Sequence, residues 1–207
     1  MHNRVKILQK FTLKTYISVA FLELCDIITV KNPKGGKMKM KYLIVVDMQV
    51  DFITGSLGSR MAEAIVKKVA EKVKSFDGKV IFTRDTHYAD YLQTQEGKKL
   101  PVEHCIKDTD GWQICDELKM YAEVTVDKET FGSINLPDII KGYGEPVEKT
   151  ELCGLCTDIC VISNAMILKA AFPEAEVTVD SNCCAGVSKE SHDIALKAMQ
   201  AIQIDII

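Results

Sequence analysis

The chain lacks the features that mark a nucleic-acid-binding or membrane protein. Aromatic residues make up 7% of it, with a single Trp. Nowhere do they interleave with a dense Lys/Arg patch, which argues against a nucleic-acid surface. There is no basic surplus either: 26 Lys and Arg against 29 Asp and Glu leave a formal net charge of −3. Small basic clusters such as Lys67-Lys68 read as solvated helix faces. Long apolar runs are also missing. The most apolar N-terminal stretch, Tyr16 to Val30, carries Glu23 and Asp26. It is shorter than the ~20 apolar residues of a membrane-spanning helix, and no small-x-small cleavage site is evident. No internal repeat stands out.

What remains is an ordinary globular composition, 47% hydrophobic and 27% charged over 207 residues, enough for one well-buried domain. Cysteine is the exception, with eight residues. An even count permits disulfides, but a chain this long and helix-rich does not need them. Reduced thiols in a cytoplasm are expected, most of them acting as small buried hydrophobes. Residues 1–38 differ from the rest. Lys34-Gly35-Gly36-Lys37 is what a purine-rich ribosome-binding sequence would encode if translated. Two readings stand: a natural start at Met38 or Met40, or a genuine amphipathic N-terminal arm. N-terminal mass spectrometry of the native protein distinguishes them. Residues 39–207 form the expected domain.

From Tyr42 the pattern becomes regular. Tyr42 to Val46 is a continuous apolar run ending at Asp47, the mark of a strand buried on both faces. Further strands are predicted at Lys79–Thr83, Glu123–Val126, Pro146–Leu152 (weaker), Glu176–Asp180 and Gln203–Ile207. Helices are predicted at Ala62–Phe76, with Ile65, Val69 and Val73 on one face, and at Thr157–Ala171 and Ser188–Ala201. This alternation predicts a three-layer α/β/α fold on a mostly parallel, doubly wound sheet of about six strands.

Ligands bind such sheets beyond the carboxyl ends of the strands. Asp47 follows the first strand, Asp85 and His87 the second, Lys128 the third, and Cys156 and Cys160 the fourth. One such residue is usually a cap or a turn former; four strands delivering Asp, Asp/His, Lys and Cys to one edge is harder to explain as capping. Cys160 is the best nucleophile candidate. With Thr157 or Asp158 as N-cap it would lie in a first helical turn, where the dipole and a nearby ammonium favour a thiolate. A carboxylate could take the thiol proton and pass it to a leaving amine.

At this point the residues resemble a family. Asp47-Met48-Gln49-Val50-Asp51-Phe52 is similar to the opening motif of nicotinamidases and other isochorismatase-like hydrolases. Thr83-Arg84-Asp85-Thr86-His87, Pro101-Val102-Glu103-His104-Cys105 and Gly154-Leu155-Cys156-Thr157-Asp158-Ile159-Cys160-Val161 resemble their later motifs, in the same order, over about residues 41–207. The resemblance implies an Asp47–Lys128–Cys160 triad, with Lys128 the loosest match. It also implies a cis peptide at Leu155–Cys156 and an oxyanion hole made by the N–H groups of Cys156 and Cys160.

The same resemblance implies a divalent metal, usually zinc (Zn2+) in such proteins, on Asp85, His87 and His104. Three N/O ligands leave positions for water and substrate. In the family the metal accepts the pyridine nitrogen, so these ligands are the reason to prefer nicotinamide as substrate. From the residues alone, His87 as a turn cap and His104 as a core histidine remain open. Many relatives have Trp-Pro where this chain has Leu100-Pro101, and Phe52, Leu57 and Phe131 are then the remaining candidates for the substrate wall beside Leu100. The expected partner is a small-molecule amide, nicotinamide or another small amide or carbamoyl compound. No nucleic acid or membrane is expected, and self-association is left open. The reading from a different class is a cysteine-based redox or metal-cluster protein. It rests on Cys153-x-x-Cys156-x-x-x-Cys160 with Cys183 or Cys184 as a fourth ligand, although the Gly-Leu-Cys-Thr-Asp context fits a strand-to-helix turn better.

Overall fold

The structure, a computed structural model, describes residues 38–207, of which Lys39–Ile207 form one compact unit. The extension expected over residues 1–38 therefore lies, up to residue 37, outside the described residues. Six strands form one parallel sheet: β1 (Met40–Val46), β2 (Lys79–Asp85), β3 (Thr125–Lys128), β4 (Val147–Leu155), β5 (Glu176–Ala185) and β6 (Asp205–Ile206), in the order β3-β2-β1-β4-β5-β6. Helices cover both faces, giving the expected isochorismatase-like α/β architecture. The order reverses direction between β1 and β4. In a doubly wound sheet this is where connections leave to opposite faces and a crevice opens.

The apolar run of β1 is fully buried from Tyr42 to Val46, as a central strand with helices on both faces requires. Helix α1 (Val50–Ile53) is a single turn. Helix α2 (Arg60–Ser75) starts at Ser59, whose side chain accepts from Ala62 N. It buries Ala62, Ile65, Val66, Val69 and Val73, the apolar stripe of an amphipathic helix. Short helices α3 (Gln95–Lys99), α4 (Asp116–Lys119) and α5 (Leu136–Gly142) occupy the long connections. Helix α6 (Ile162–Ala171) follows β4, and α7 (Lys189–Ala201) follows β5, opened by a capping box between Ser188 and Ser191.

Several boundaries differ from the sequence expectation. Helices α1, α3, α4 and α5 were not predicted, because four to seven residues are too few to show a 3.6 period. Strand β3 runs to Lys128 rather than ending at Val126, so the lysine ends the strand instead of following it. The last strand shrinks from Gln203–Ile207 to Asp205–Ile206; Gln203 has φ +65° and turns the chain. The predicted helix Thr157–Ala171 is two elements, a π-helical turn at Thr157–Val161 and then α6. Strand β4 read as weak because Glu148, Lys149, Thr150 and Glu151 interrupt it. It is nonetheless central, and Glu151 is buried against Lys72 and Lys149.

Candidate active site

Each predicted site residue reaches the carboxyl edge of the sheet by a local cause. Asp47 directly follows β1 with φ +48°, a left-handed conformation that Asp tolerates better than most residues. Its Oδ1 accepts a hydrogen bond from Thr83 Oγ1 on β2 at 2.7 Å. The rest of the opening motif is structural. Gln49 donates through Nε2 to the carbonyls of Asp85 and Trp112 and accepts at Oε1 from Asp85 N, which locks the end of β2 beside β1. Asp51 accepts from Cys105 N at 2.7 Å and so holds the segment carrying His104. On the other side of the crevice, Gly154 pairs with Val46 and has φ +115°. A Cβ there would overlap Val46 O, so only glycine lets β4 bring its end this close to Asp47. The Leu155–Cys156 peptide that follows is cis, as the family resemblance implies.

The three triad candidates converge. Lys128 Nζ lies 2.7 Å from Asp47 Oδ2, 3.1 Å from Asp85 Oδ1 and 3.5 Å from Cys160 Sγ. Asp47 is 0% and Cys160 5% exposed, and the Lys128 side chain is 1% exposed. Charge is thus concentrated where water is excluded. Burial pushes the Asp47 carboxyl up, against the opposing pull of Lys128. Burial acts to lower Lys128, but Asp47, Cys160 and Asp85 outweigh it and hold the ammonium well above its usual value.

Two expectations about Cys160 are corrected here. Neither Thr157 nor Asp158 caps a helix over it. Thr157 Oγ1 bonds to His192 and Asp158 Oδ1 accepts from Val187 N, while Cys160 sits inside the π-helical turn. The balance of effects at the thiol also falls the other way from the one expected. Burial first, then the Asp47 carboxylate, raise it well above the ordinary range, and Lys128 only partly opposes them. The sequence reading weighed dipole and ammonium but could not see the desolvation that outweighs both.

A second cluster lies beside the first. Asp85, His87, His104 and Glu96 offer ligand atoms all within 4.8 Å of one another. His87 Nε2 is 3.0 Å from Asp85 Oδ2 and 3.6 Å from Glu96 Oε1; His104 Nε2 is 3.7 and 3.8 Å from the same two oxygens. Ligands at 2.0–2.1 Å around a tetrahedral ion stand about 3.3–3.4 Å apart, so these spacings bracket that geometry. His87 Nε2 is buried and makes no directed hydrogen bond among the described residues. His104 donates from Nδ1 to the Val102 carbonyl at 2.8 Å, which leaves Nε2 with its lone pair toward the cluster. Two carboxylates facing two imidazoles make an anionic pocket, and Asp85 and Glu96 hold His87 above its usual pKa despite burial. The donor set fits a divalent cation. Sequence reading missed Glu96, which sits on the short helix α3, belongs to no motif and carries no ligand spacing.

Cys160 of the triad candidates and the whole second cluster line one cavity of about 940 Å³, whereas Asp47 and Lys128 are not among its lining residues; the volume is within the usual range for small-molecule sites. Phe52, Leu57, Leu100 and Phe131 all line it, as do Cys156, Cys160 and the four cation-cluster residues. Phe52 packs on His104 with ring centroids 5.5 Å apart. Leu100 and Phe131 stand at the mouth, 39% and 45% exposed. Cys105, Cys115, Cys153, Cys156, Cys160, Cys183 and Cys184 are all free thiols, and the cation cluster contains no cysteine.

The model of the isochorismatase domain matches residues 41–207. The chain belongs to the isochorismatase family. Its similar structures in that family include the pyrazinamidase of Pyrococcus horikoshii in complex with zinc, 26% identical, TM-score 0.69, covering 81% of this chain and 98% of that one. The pyrazinamidase/nicotinamidase of Streptococcus mutans is 26% identical with TM-score 0.71, covering 81% and 99%. N-carbamoylsarcosine amidase from Thermoplasma acidophilum shares the fold at 24% identity and TM-score 0.68, covering 82% and 95%. No curated protein matches the sequence. No helix among the described residues of this isochorismatase-family hydrolase is long and apolar enough to cross a membrane.

Proposed function

We propose that this family hydrolase is a cysteine amidohydrolase of the nicotinamidase type, converting nicotinamide and water to nicotinate and ammonia through a thioester on Cys160. The observation that carries the reading is the position of Lys128, within 3.5 Å of Cys160 Sγ and 2.7 Å of Asp47 Oδ2. A buried acid, a buried ammonium and a buried thiol in mutual contact suit proton transfer coupled to nucleophilic attack. The cation cluster on the same cavity supports a heteroaromatic amide over an aliphatic one, and the zinc in the Pyrococcus pyrazinamidase makes zinc the cation to test first.

In the proposed sequence Asp47 takes the Cys160 proton. Burial raises its pKa above that of an ordinary carboxyl, which suits it to exchange protons in both directions. Lys128 stabilises the thiolate as it forms. The sulfur attacks the amide carbon, and the N–H groups of Cys156 and Cys160 receive the negative oxygen. As the C–N bond breaks, Asp47 returns its proton to the departing nitrogen, which leaves as ammonia. Water, deprotonated by Asp47, then attacks the thioester, and the acid departs with the thiol restored. A cation held by Asp85, His87, His104 and Glu96 would supply a Lewis-acid contact that orients the ring. Phe52 and Leu100 both offer apolar lining to the cavity.

Acid-quenched mass spectrometry during turnover tests the reading. The expected result is a Cys160 peptide heavier by the acyl group of the amide supplied. Turnover with acyl groups absent from Cys160, or present on another cysteine, overturns it.

A further inference from the structure

The π-helical turn Thr157–Val161 carries Cys160, yet its first two side chains face away from the triad. Thr157 is fully buried, and its Oγ1 shares a hydrogen bond of 2.8 Å with His192 Nδ1 on α7. Asp158 Oδ1 accepts from Val187 N at 3.0 Å. Gly186 lies between them: a Cβ there would stand 2.9 Å from both Asp158 Oδ1 and His192 Cβ. The segment from Gly186 to His192 therefore grips the turn at two successive residues, and it packs this tightly because residue 186 has no side chain. Of the three described histidines, His192 alone stands outside the cation cluster. Burial pulls its pKa below the ordinary value, which favours the neutral ring, whose Nδ1 can accept from the Thr157 hydroxyl. A π-helical turn in a short segment is tolerated chiefly where function needs its geometry, and here it encloses Cys160, closed by the hydrogen bond that Val161 N donates to Cys156 O at 3.0 Å.

We propose that His192 is a positioning residue for this hydrolase, acting through Thr157 to hold the nucleophile turn in the register that sets Cys160 against Lys128. The inference rests on the proposed amidohydrolase chemistry only for its kinetic readout. Its physical content is the coupling of α7 to the position of one thiol. A small displacement of a reacting group costs rate rather than affinity. The effect should therefore fall on kcat and leave substrate binding, made by Phe52 and the cation cluster, nearly unchanged.

Asn is the conservative replacement, since its amide can reach the place of Nδ1, whereas Leu fills the space without a polar atom. His192→Leu is expected to lower kcat for ammonia release at least tenfold with KM within twofold. His192→Asn should keep kcat within threefold of the parent. Thr157→Val should lower kcat as His192→Leu does, and the double variant should lose no more than either. Iodoacetamide labelling of Cys160, followed by peptide mapping in the same proteins, should shift at least threefold in His192→Leu and Thr157→Val, with Cys115 unaffected as a control. If His192→Leu fails to fold, Thr157→Ser against Thr157→Val carries the comparison, with Ser expected to behave as the parent. Unchanged kcat and labelling in His192→Leu, equal losses in Asn and Leu, or additive losses in the double variant overturn the proposal. If the parent releases no ammonia from any amide, the amidohydrolase reading fails, and Cys160 labelling still decides the role of His192.

Discussion

Replacing Lys128 by Met removes one charge from a place where three anionic or ionisable groups meet. With an effective dielectric near 20, separations of 2.7 Å to Asp47 and 3.1 Å to Asp85 correspond to roughly 6 and 5 kcal/mol of gross attraction. Much of this is offset by the desolvation of the ammonium itself. The net cost of removing one partner from a buried ionic cluster is about 3–5 kcal/mol, or a fall in Tm of roughly 6–20 °C for a chain of this size. The loss should depend on pH. Burial already raises Asp47 in the folded state, and removing Lys128 raises it further. A carboxyl with a raised folded pKa stabilises the fold below its unfolded pKa of about 3.9 and loses that contribution as pH climbs through the folded value. The Lys128→Met deficit should therefore be largest at pH 8 and smaller at pH 5, where Asp47 can take a proton in place of the lost cation. Urea melts of both proteins after chelator treatment, at the two pH values, measure this. A deficit below about 1 kcal/mol at pH 8 would refute the ionic cluster. An equal deficit at both pH values would mean that lost packing, not charge, sets the cost.

Other outcomes follow from named contacts. Gly154→Ala should fail to give folded protein, or should unfold well below the parent in a thermal melt, because its Cβ would overlap Val46 O and the residue needs φ +115°. His87→Ala and His104→Ala should each lower zinc content by plasma emission spectroscopy, and Glu96→Gln should weaken zinc binding less; wild-type content in all three would place any metal elsewhere. Cys183→Ala and Cys184→Ala should keep kcat within about twofold, since neither residue lines the active-site cavity; a large loss in either would mean that the chemistry uses more than one thiol.

Much of this site was legible because strand ends are legible. The apolar run into Asp47, the strand into Asp85 and the Gly-Leu-Cys-Thr-Asp turn announce their positions, and a parallel sheet brings such ends together whatever lies between them. Spacing in sequence did not reveal partners contributed by irregular connections. Glu96 on the short helix α3 and Thr83 beneath Asp47 reach the site only through tertiary packing, as does His192 from the last helix. The burial that raises the Cys160 thiol was hidden for the same reason: helix dipole and charge pattern can be read along a chain, whereas complete burial of a thiol cannot. The strand that leads to Cys160 looked weak because its Glu151 pairs with Lys72 and Lys149, and those ion pairs exist only after folding.

Ammonia release by the zinc-loaded full-length protein, across nicotinamide, pyrazinamide, and small aliphatic and carbamoyl amides, compared with Cys160→Ala, tests the central claim most directly. The expected result is stoichiometric ammonia and acid from nicotinamide with the parent, and nearly none with Cys160→Ala. Full turnover by Cys160→Ala, or no ammonia from any of these amides with the parent, would contradict it.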